Sequence, residues 1–408
     1  MGDYGYYVHT QESKKDGAVF YLALDRVPDI EFRELVISCA RDIYGDAIPE
    51  NVQDRIETEL KYVFSSDSAS YFMALNRIFR TAGISDWDVA GQGSCGASFI
   101  AYLLGINGGV NPLEDNGYSL DARFFYGENG DKPRFGMSYD IIPEKIEDLR
   151  EAIAGEKLVK EYTECGIEEI GSVSEGFTVF KAPDEGRNGS FVKNSSCDFV
   201  ITSGDITKVA FRYMPAKISE VLSSIEKQMV FPDYKGDFSG FDCGELNPGM
   251  KADDIIVMMK DTGVDMQIPN GISSHYIVCG FNDLIRLIAL CKGTDVWTDN
   301  VQDMISDGKI TFDEIPCTRD GVYRLLFESG MSNAEAFRTT ERIRKGKGLL
   351  PEQRKELDKL QISEWLIEYF DEVKYLPSEA DFIAIAKQVW AVVRFTNRSN
   401  LHIDAAGD

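Results

Sequence analysis

The chain of 408 residues has few histidines and no long apolar run, and these shortages exclude several classes of protein. Only His9, His275 and His402 are present, and none of the eight cysteines forms a C-x-x-C pair. Zinc sites and thioredoxin-type redox sites need clustered imidazoles or thiolates, so neither is expected. No segment reaches the roughly 18 apolar residues of a membrane span, and no basic segment followed by an apolar core marks a signal peptide. We therefore expect a soluble cytoplasmic protein, without a membrane partner, whose cysteines are reduced.

Positive charge is scarce as well. The chain has 43 Lys and Arg residues against 68 Asp and Glu residues, so its formal net charge is −25. The segment from Cys291 to Asn400 holds 16 basic and 19 acidic residues, which leaves a charge of −22 on the rest of the chain. Because a face that binds nucleic acid needs a local excess of Lys and Arg, only this C-terminal part is expected to carry one.

Periodicity predicts an α+β portion followed by an all-helical portion. In the first third, apolar residues recur at three- and four-residue spacing, which is typical of helices. The middle of the chain has β-branched and aromatic runs bounded by Gly, Pro and Asn, which are typical of strands. From about Lys251 onward short helical patterns follow one another, and no strand is predicted. The predicted helices cover 31–44, 50–64 and 69–82, and the predicted strands cover 176–183, 197–204 and 207–214.

Three short motifs each have a structural and a functional interpretation. The segment GQGSCG (Gly91–Gly96) matches the dinucleotide fingerprint G-x-G-x-x-G and precedes a helical pattern, but helices rather than a first strand are predicted before it. A phosphate-binding turn at a helix start remains open. The segment Asp303–Glu314 resembles a calcium loop, but Ile305 stands at its third position and supplies no ligand oxygen, so a helix–turn–helix corner is the better interpretation. The segment RKGKG (Arg344–Gly348) is either a solvated helix end or a phosphate clamp.

Longer segments resemble the C-family bacterial DNA polymerase III alpha subunit. The run from Phe32 to Arg80, followed by VAGQGSCGASFIAYLLGINGGVNPL (Val89–Leu113), resembles the palm of that family. The segments KGTDVW (Lys292–Trp297), RKGKGL (Arg344–Leu349) and ISEWLIEYFDEVKYLP (Ile362–Pro377) resemble its fingers in the Gram-positive, PolC-like type.

The resemblance implies a fold and a division into domains. The fold is α+β, with a polymerase palm of the nucleotidyltransferase type followed by an all-helical fingers subdomain. No segment resembles the family's phosphoesterase, exonuclease, helix-hairpin-helix or OB domains, so only palm and fingers are expected. The implied ranges are 1–145 for the first part of the palm, 146–170 for a reduced thumb remnant, 171–250 for the strand-rich second part of the palm, and 251–408 for the fingers.

The resemblance also implies a damaged metal site. The family's palm carries two metal-binding aspartates in a P-D-I-D-[IL]-[DN]-F strand, and these hold two Mg²⁺ for phosphoryl transfer. The corresponding segment here is PRFGMSYD (Pro133–Asp140), in which Arg134 and Gly136 stand at the two aspartate positions. An arginine does not hold Mg²⁺, and a glycine has no side-chain ligand. The candidates for replacement carboxylates are Asp242, Asp140 and Asp237.

Other residues of the resemblance concern phosphates. Gly93, Ser94, Arg344, Lys345 and Lys347 match family positions that bind the nucleotide phosphates, although Gln92 replaces the usual Arg. In PSEADFIAIA (377–386) the Lys and His of the family's F-P-K-A-H-A-A-A-Y segment are absent.

These matches and losses leave three functions open. The first is a non-catalytic polymerase-like protein of DNA replication, which binds a nucleotide, DNA such as a primer–template, or replication proteins. The second is an active DNA polymerase that uses Mg²⁺ on rearranged carboxylates. The third is an acidic protein-interaction scaffold.

Overall fold

The computed structural model of the protein describes the chain in several stretches that form two compact units. The first unit contains the described residues up to position 213, except Leu120. The second unit contains Leu120 and the described residues from position 249 onward. No helix in these stretches is long and apolar enough to cross a membrane. The described residues are 18–22, 27–86, 88–113, 120–128, 136–155, 159–162, 168–174, 177–181, 190–192, 199–203, 207–213, 249–261, 272, 276–387, 389, 390 and 393.

The first unit combines helices with a mixed sheet. Its helices are α1 (Asp29–Tyr44), α2 (Glu50–Ser65), α3 (Ala69–Thr81), α4 (Phe99–Leu103), α5 (Arg123–Tyr126) and α6 (Ile146–Gly155). Its strands are β1 (Ala18–Leu22), β2 (Val89–Gln92), β3 (Gly136–Ile141), β4 (Val159–Tyr162), β5 (Glu168–Ser174), β6 (Phe177–Lys181), β7 (Ser190–Val192), β8 (Phe199–Ser203) and β9 (Thr207–Tyr213).

The three helices predicted in the first third are confirmed as α1, α2 and α3. In α1 the buried residues Phe32, Val36 and Ala40 follow one another at four-residue spacing, so they form one apolar face. The ring of Phe32 packs against that of Phe72 in α3, with centroids 6.0 Å apart. The spacing that predicts the helices therefore also determines which faces they bury.

The main sheet has six strands in the order β2-β3-β9-β8-β1-β4. The pairs β3–β9 and β8–β1 are parallel, and the other neighbours are antiparallel. The predicted strands are confirmed as β6, β8 and β9, of which β6 lies in a separate sheet with β5 and β7. The first third is less purely helical than predicted, because it also contains β1 and β2. Helices combined with a sheet confirm the α+β class.

Strand β3 lies beside β2 and buries one face against α3. Its residues Met137, Tyr139 and Ile141 are fully buried and alternate along the strand. The ring of Tyr139 meets that of Phe79 in α3 edge to face, with centroids 5.2 Å apart. The Tyr139 hydroxyl donates to the Ile106 carbonyl at 2.6 Å, which ties β3 to the chain that follows α4.

The range 146–170, predicted as a thumb remnant, contains α6, β4 and the start of β5. Strand β4 pairs antiparallel with β1 and lies at one edge of the six-stranded sheet. The assignment of this range, and of the other three domain ranges, stays a prediction.

The second unit is predominantly helical. The prediction of no strand after Lys251 is wrong in detail, because a short antiparallel pair joins β10 (Met250–Lys251) to β11 (Ile277–Val278). A two-residue strand is too short to leave a periodic signal in the sequence. The helices are α7 (Ala252–Asp261), α8 (Phe281–Lys292), α9 (Gln302–Ser306), α10 (Arg319–Glu328), α11 (Asn333–Ile343), α12 (Pro351–Lys359) and α13 (Glu364–Glu372), and residues 379–387 are helical as well.

Aromatic side chains form much of the core of the second unit. Tyr369, Phe370, Phe382 and Trp390 are almost completely buried. Trp297, the last residue of the GTDVW segment, begins a π-helical turn and stacks on Phe312 with ring centroids 5.4 Å apart. Trp297 is therefore part of the hydrophobic core of the second unit.

Candidate functional site

The glycine-rich motif joins an edge strand to a short helix. Strand β2 ends at Gln92, a 3₁₀ helix covers Gly93–Ala97, and α4 follows. The expectation that no strand precedes the motif is wrong, because pairing with β3 makes a strand of a segment too short to be recognised by periodicity. This pairing is antiparallel, however, and a dinucleotide site needs a parallel βαβ unit. The predicted phosphate-binding residues Gly93 and Ser94 open the 3₁₀ helix.

Two glycines around this motif are required by close backbone contacts. A Cβ atom on Gly91 would lie 2.7 Å from the carbonyl oxygen of Asn107 and 2.9 Å from Sγ of Cys95. Gly108 has a φ of +76°, and a Cβ atom there would lie 2.9 Å from the Val89 carbonyl oxygen. At position 108 only glycine accommodates both the positive φ and the close carbonyl oxygen. The segments 89–91 and 107–108 are thus held in contact, whatever the loop binds.

A buried carboxylate fixes the start of α4, and this network is absent from the sequence-based predictions. Glu59 of α2 is 0% exposed and accepts from the backbone N–H groups of Phe99 at 2.9 Å and Ile100 at 3.0 Å. The hydroxyls of Ser98 and Tyr126 donate to it at 3.0 and 3.1 Å. A carboxylate at a helix N-terminus satisfies N–H groups that otherwise have no partner.

Arg55 completes the network one turn earlier in α2. Its Nε lies 2.5 Å from Glu59, and its guanidinium donates to the Ala97 carbonyl at 2.7 Å. Burial, together with the nearby Glu59 charge, raises the pKa of Tyr126 well above its usual value, so this hydroxyl stays protonated and can donate. The sequence carries a signal for the network, because Glu59 lies on the apolar stripe formed by Ile56, Leu60 and Val63.

Strand β3 offers little to a metal ion. Gly136, at one predicted aspartate position, is the first residue of β3 and has no side chain to ligate Mg²⁺. Asp140 lies four residues further along the same strand, a displacement of about 13 Å. Arg134, Asp237 and Asp242 lie outside the described residues. Among the residues that are described, no group of three His, Cys, Asp or Glu side chains could hold a metal ion.

The second set of predicted phosphate-binding residues lies in the second unit, at the end of α11. Arg344 donates to Glu341 from Nε at 2.5 Å and from Nη2 at 3.1 Å, and the ammonium of Lys345 lies 2.8 Å from the same carboxylate. Burial alone would raise the pKa of Glu341, but the hydrogen bonds and charges of Arg344 and Lys345 outweigh it and lower this pKa. Lys347 is exposed and forms no ion pair within the described part of the chain.

The turn after α11 has a fixed shape. Arg342 donates to the carbonyls of Lys347 at 2.9 Å and Gly348 at 3.2 Å. Gly346 has a φ of +63°, and a Cβ atom there would lie 2.6 Å from the carbonyl oxygen of Lys374. The turn therefore packs directly against the segment after α13. Glycine is needed at position 346 both for the positive φ and for this close contact.

Two of the three segments that carry the fingers resemblance, GTDVW and RKGKG, meet at residues 374–376 of the third. The Thr294 carbonyl of the GTDVW motif accepts from the N–H groups of Lys374 at 3.1 Å and Tyr375 at 3.3 Å. The Thr294 N–H donates to the Tyr375 carbonyl at 3.1 Å, and the Leu376 N–H donates to the Arg344 carbonyl at 3.2 Å. Residues 374–376 thus connect the motifs by backbone hydrogen bonds.

The segment in which the family's Lys and His are absent carries a buried carboxylate instead. Glu379 is 1% exposed, accepts from the Thr318 hydroxyl at 3.0 Å and forms an ion pair of 3.0 Å with Arg324. Its backbone N–H donates to the Asp320 carboxylate at 2.8 Å. Sequence reasoning recognised the losses in this segment but not this network.

The segment that resembles a calcium loop is a structural corner. Asp303 lies in α9, the chain turns at Gly308, and a 3₁₀ helix covers Phe312–Glu314. The Glu314 carboxylate accepts from the backbone N–H of Thr311 at 2.7 Å and caps this helix. The helix–turn–helix interpretation therefore fits the structure.

Comparisons with known proteins agree with the resemblance. The family described as "Bacterial DNA polymerase III alpha NTPase domain" matches residues 30–138, from α1 into β3. The chain is 26% identical over 479 residues to the DNA polymerase III PolC-type of Thermotoga petrophila, covering 92% of this chain and 34% of that protein. It is 24% identical to the protein of the same name from Staphylococcus saprophyticus, covering 85% and 30% respectively.

A third relative, the DNA polymerase III PolC-type of Caldanaerobacter subterraneus, is 22% identical, covering 90% of this chain and 33% of that protein. The chain spans about a third of the length of the curated relatives that it matches. Its resemblance to the bacterial DNA polymerase III alpha subunit of the PolC type is therefore confirmed.

Proposed function

We propose that this chain is a palm-and-fingers protein linked to DNA replication, which acts in the cytoplasm and binds a nucleotide or a primer–template but does not polymerise. The observation that carries the proposal is Gly136. It opens β3 within the segment matched by the polymerase family, at a position where the resemblance requires a metal-binding aspartate. Two-metal phosphoryl transfer depends on such carboxylates.

The alternative of an active enzyme needs the ligands to be rebuilt elsewhere. Asp140 is about 13 Å from position 136 along β3, so it cannot take over the missing ligand without moving the metal. Gly136 gives Mg²⁺ no side-chain ligand at the position where the resemblance requires one, and we derive no catalytic step through this metal. Mg²⁺ is expected as a cofactor only if Asp140, Asp237 and Asp242 converge.

The binding part of the proposal is supported by the turn after α11. This turn presents the exposed Lys345 and Lys347, and its shape is fixed by Gly346 and by the Arg342 hydrogen bonds. A rigid turn with exposed cations suits phosphate oxygens. Glu341 neutralises part of the charge, however, so we expect weak affinity that depends strongly on salt.

The binding part is tested with two probes, a fluorescent dNTP and a fluorescein-labelled recessed primer–template, each titrated with the full chain at 50 mM salt. Lys347→Gln should weaken binding by roughly 10- to 150-fold, because a hydrogen bond to a charged group contributes about 1.5–3 kcal/mol. Lys359→Gln is the matched control, since Lys359 is also exposed but pairs with Glu356 on α12.

Absence of binding to both probes would contradict the proposal and favour the acidic scaffold. Equal loss in both lysine variants would also contradict it, because the turn would then have no special role. Capture of replication proteins by a chain that binds neither probe would identify a partner for that scaffold.

A further inference from the structure

The segment after α13 exposes an aromatic ring next to a lysine in the chain. Tyr375 is 46% exposed, whereas Val373 and Leu376 near it are fully buried. Lys374 is exposed and, like Lys347, forms no ion pair with any residue in the described ranges. An exposed tyrosine thus follows an exposed lysine without an ion pair, in a chain whose net charge is −25.

The backbone that carries these side chains is held in place by hydrogen bonds and close packing. The backbone N–H groups of Lys374 and Tyr375 both donate to the Thr294 carbonyl, and Gly346 packs against the Lys374 carbonyl. Lys347 follows Gly346 directly, so the turn after α11 places its lysine next to the same segment. We call Lys347, Lys374 and Tyr375 the junction surface, because they lie where the GTDVW and RKGKG motifs meet.

Of the four carboxylates near this surface, two are engaged by other cations and two are exposed, so they offset the charge of the surface only in part. Glu341 is held by Arg344 and Lys345. Asp371 accepts from the backbone N–H of Leu349 at 2.7 Å and pairs with Arg354. Two of the neighbouring carboxylates are thus already engaged, and Asp295 and Glu372 are exposed to solvent.

We propose that the junction surface binds a single strand of nucleic acid, with one base stacked on Tyr375 and the adjoining phosphates on Lys347 and Lys374. Single-strand sites combine an exposed aromatic ring with cations that follow the phosphate backbone. A duplex hides the faces of its bases in the stack, so it offers Tyr375 no partner. This inference adds a strand-binding role to the proposed function and rests on it only in the choice of nucleic acid as the partner.

The test is fluorescence anisotropy of the full chain with dT12, rU12 and a 12-bp duplex at 25 to 200 mM salt. Tyr375→Ala should lower the affinity for whichever single strand binds, dT12 or rU12, by about 5- to 150-fold, because stacking one base contributes about 1–3 kcal/mol. Tyr375→Phe should keep most of the affinity, because it keeps the ring. The Lys347→Gln/Lys374→Gln variant should reduce the salt slope by about 1.4, the value for two contacts with a single strand.

A Lys355→Gln/Lys359→Gln variant is the control, since it makes the same charge change on the neighbouring α12. Binding of dT12, rU12 or both supports the inference and identifies the strand. The inference is overturned if the duplex binds as tightly as the single strands, if Tyr375→Ala binds normally, or if the control loses as much as the junction variant. Primer–template binding that Lys347→Gln weakens but that Tyr375→Ala and Lys374→Gln leave unchanged would overturn this inference alone and leave the proposed function intact.

Discussion

Replacing Glu59 should destabilise the first unit more than replacing any exposed carboxylate of α2. The side chain is 0% exposed and accepts hydrogen bonds from Phe99, Ile100, Ser98 and Tyr126. Glu59→Ala leaves these donors and the Arg55 guanidinium without their acceptor. Breaking a buried ion pair by removing one partner costs about 3–5 kcal/mol. With a urea m-value of about 2 kcal/mol/M, the midpoint of the unfolding transition should fall by roughly 2 M.

The measurement is urea unfolding followed by circular dichroism, with Glu57→Ala as the matched control. Glu57 lies two residues earlier in α2 and pairs with Arg33 at the surface, where such pairs contribute about 0–1 kcal/mol. Glu59→Gln should fall between the two, because it keeps one acceptor oxygen. Equal and small midpoint shifts for Glu59→Ala and Glu57→Ala would refute the reasoning about the network.

Three further predictions concern the second unit. Gly346→Ala should lower the unfolding midpoint more than Gly308→Ala, because both have a positive φ but only the first would place its Cβ 2.6 Å from a carbonyl oxygen; equal midpoints would contradict this contact. Glu341→Gln should lower the free energy of unfolding at pH values above 4.5, the ordinary pKa of glutamate. This loss should disappear as the pH falls through the lowered pKa of Glu341 in the folded state, and a loss independent of pH would contradict the ion pairs. Burial raises the pKa of Cys317 to about 11, so Cys279→Ser, at an exposed position, should remove one rapidly reacting thiol at pH 8 and Cys317→Ser should remove none.

Local patterns were sufficient for part of the fold. The four-residue spacing of Phe32, Val36 and Ala40 identifies α1, and the runs of β-branched and aromatic residues identify β8 and β9. Strand β1 was not predicted, and its parallel partner β8 lies about 180 positions later in the chain. Pairing at such a distance depends on the tertiary fold rather than on local propensity.

The same limit applies to the candidate site. Resemblance located Gly93, Gly136 and Lys347, because each lies within a motif. The burial of Glu59 could have been inferred, since an acidic residue on an apolar stripe of a helix needs a partner. The contact between Gly346 and Lys374 could not have been inferred from the sequence, because it joins segments that become adjacent only after α11, α12 and α13 have packed.

The central claim, a polymerase-like chain without polymerase activity, is tested most directly by primer extension. The full chain is incubated with a recessed primer–template and all four dNTPs, in Mg²⁺ and then in Mn²⁺, beside an Asp242→Ala variant and a PolC-type polymerase as the positive control. We predict no extension by the folded chain in either metal, because Gly136 supplies no ligand at β3. Extension that Asp242→Ala abolishes would contradict the account and reveal a rebuilt metal site.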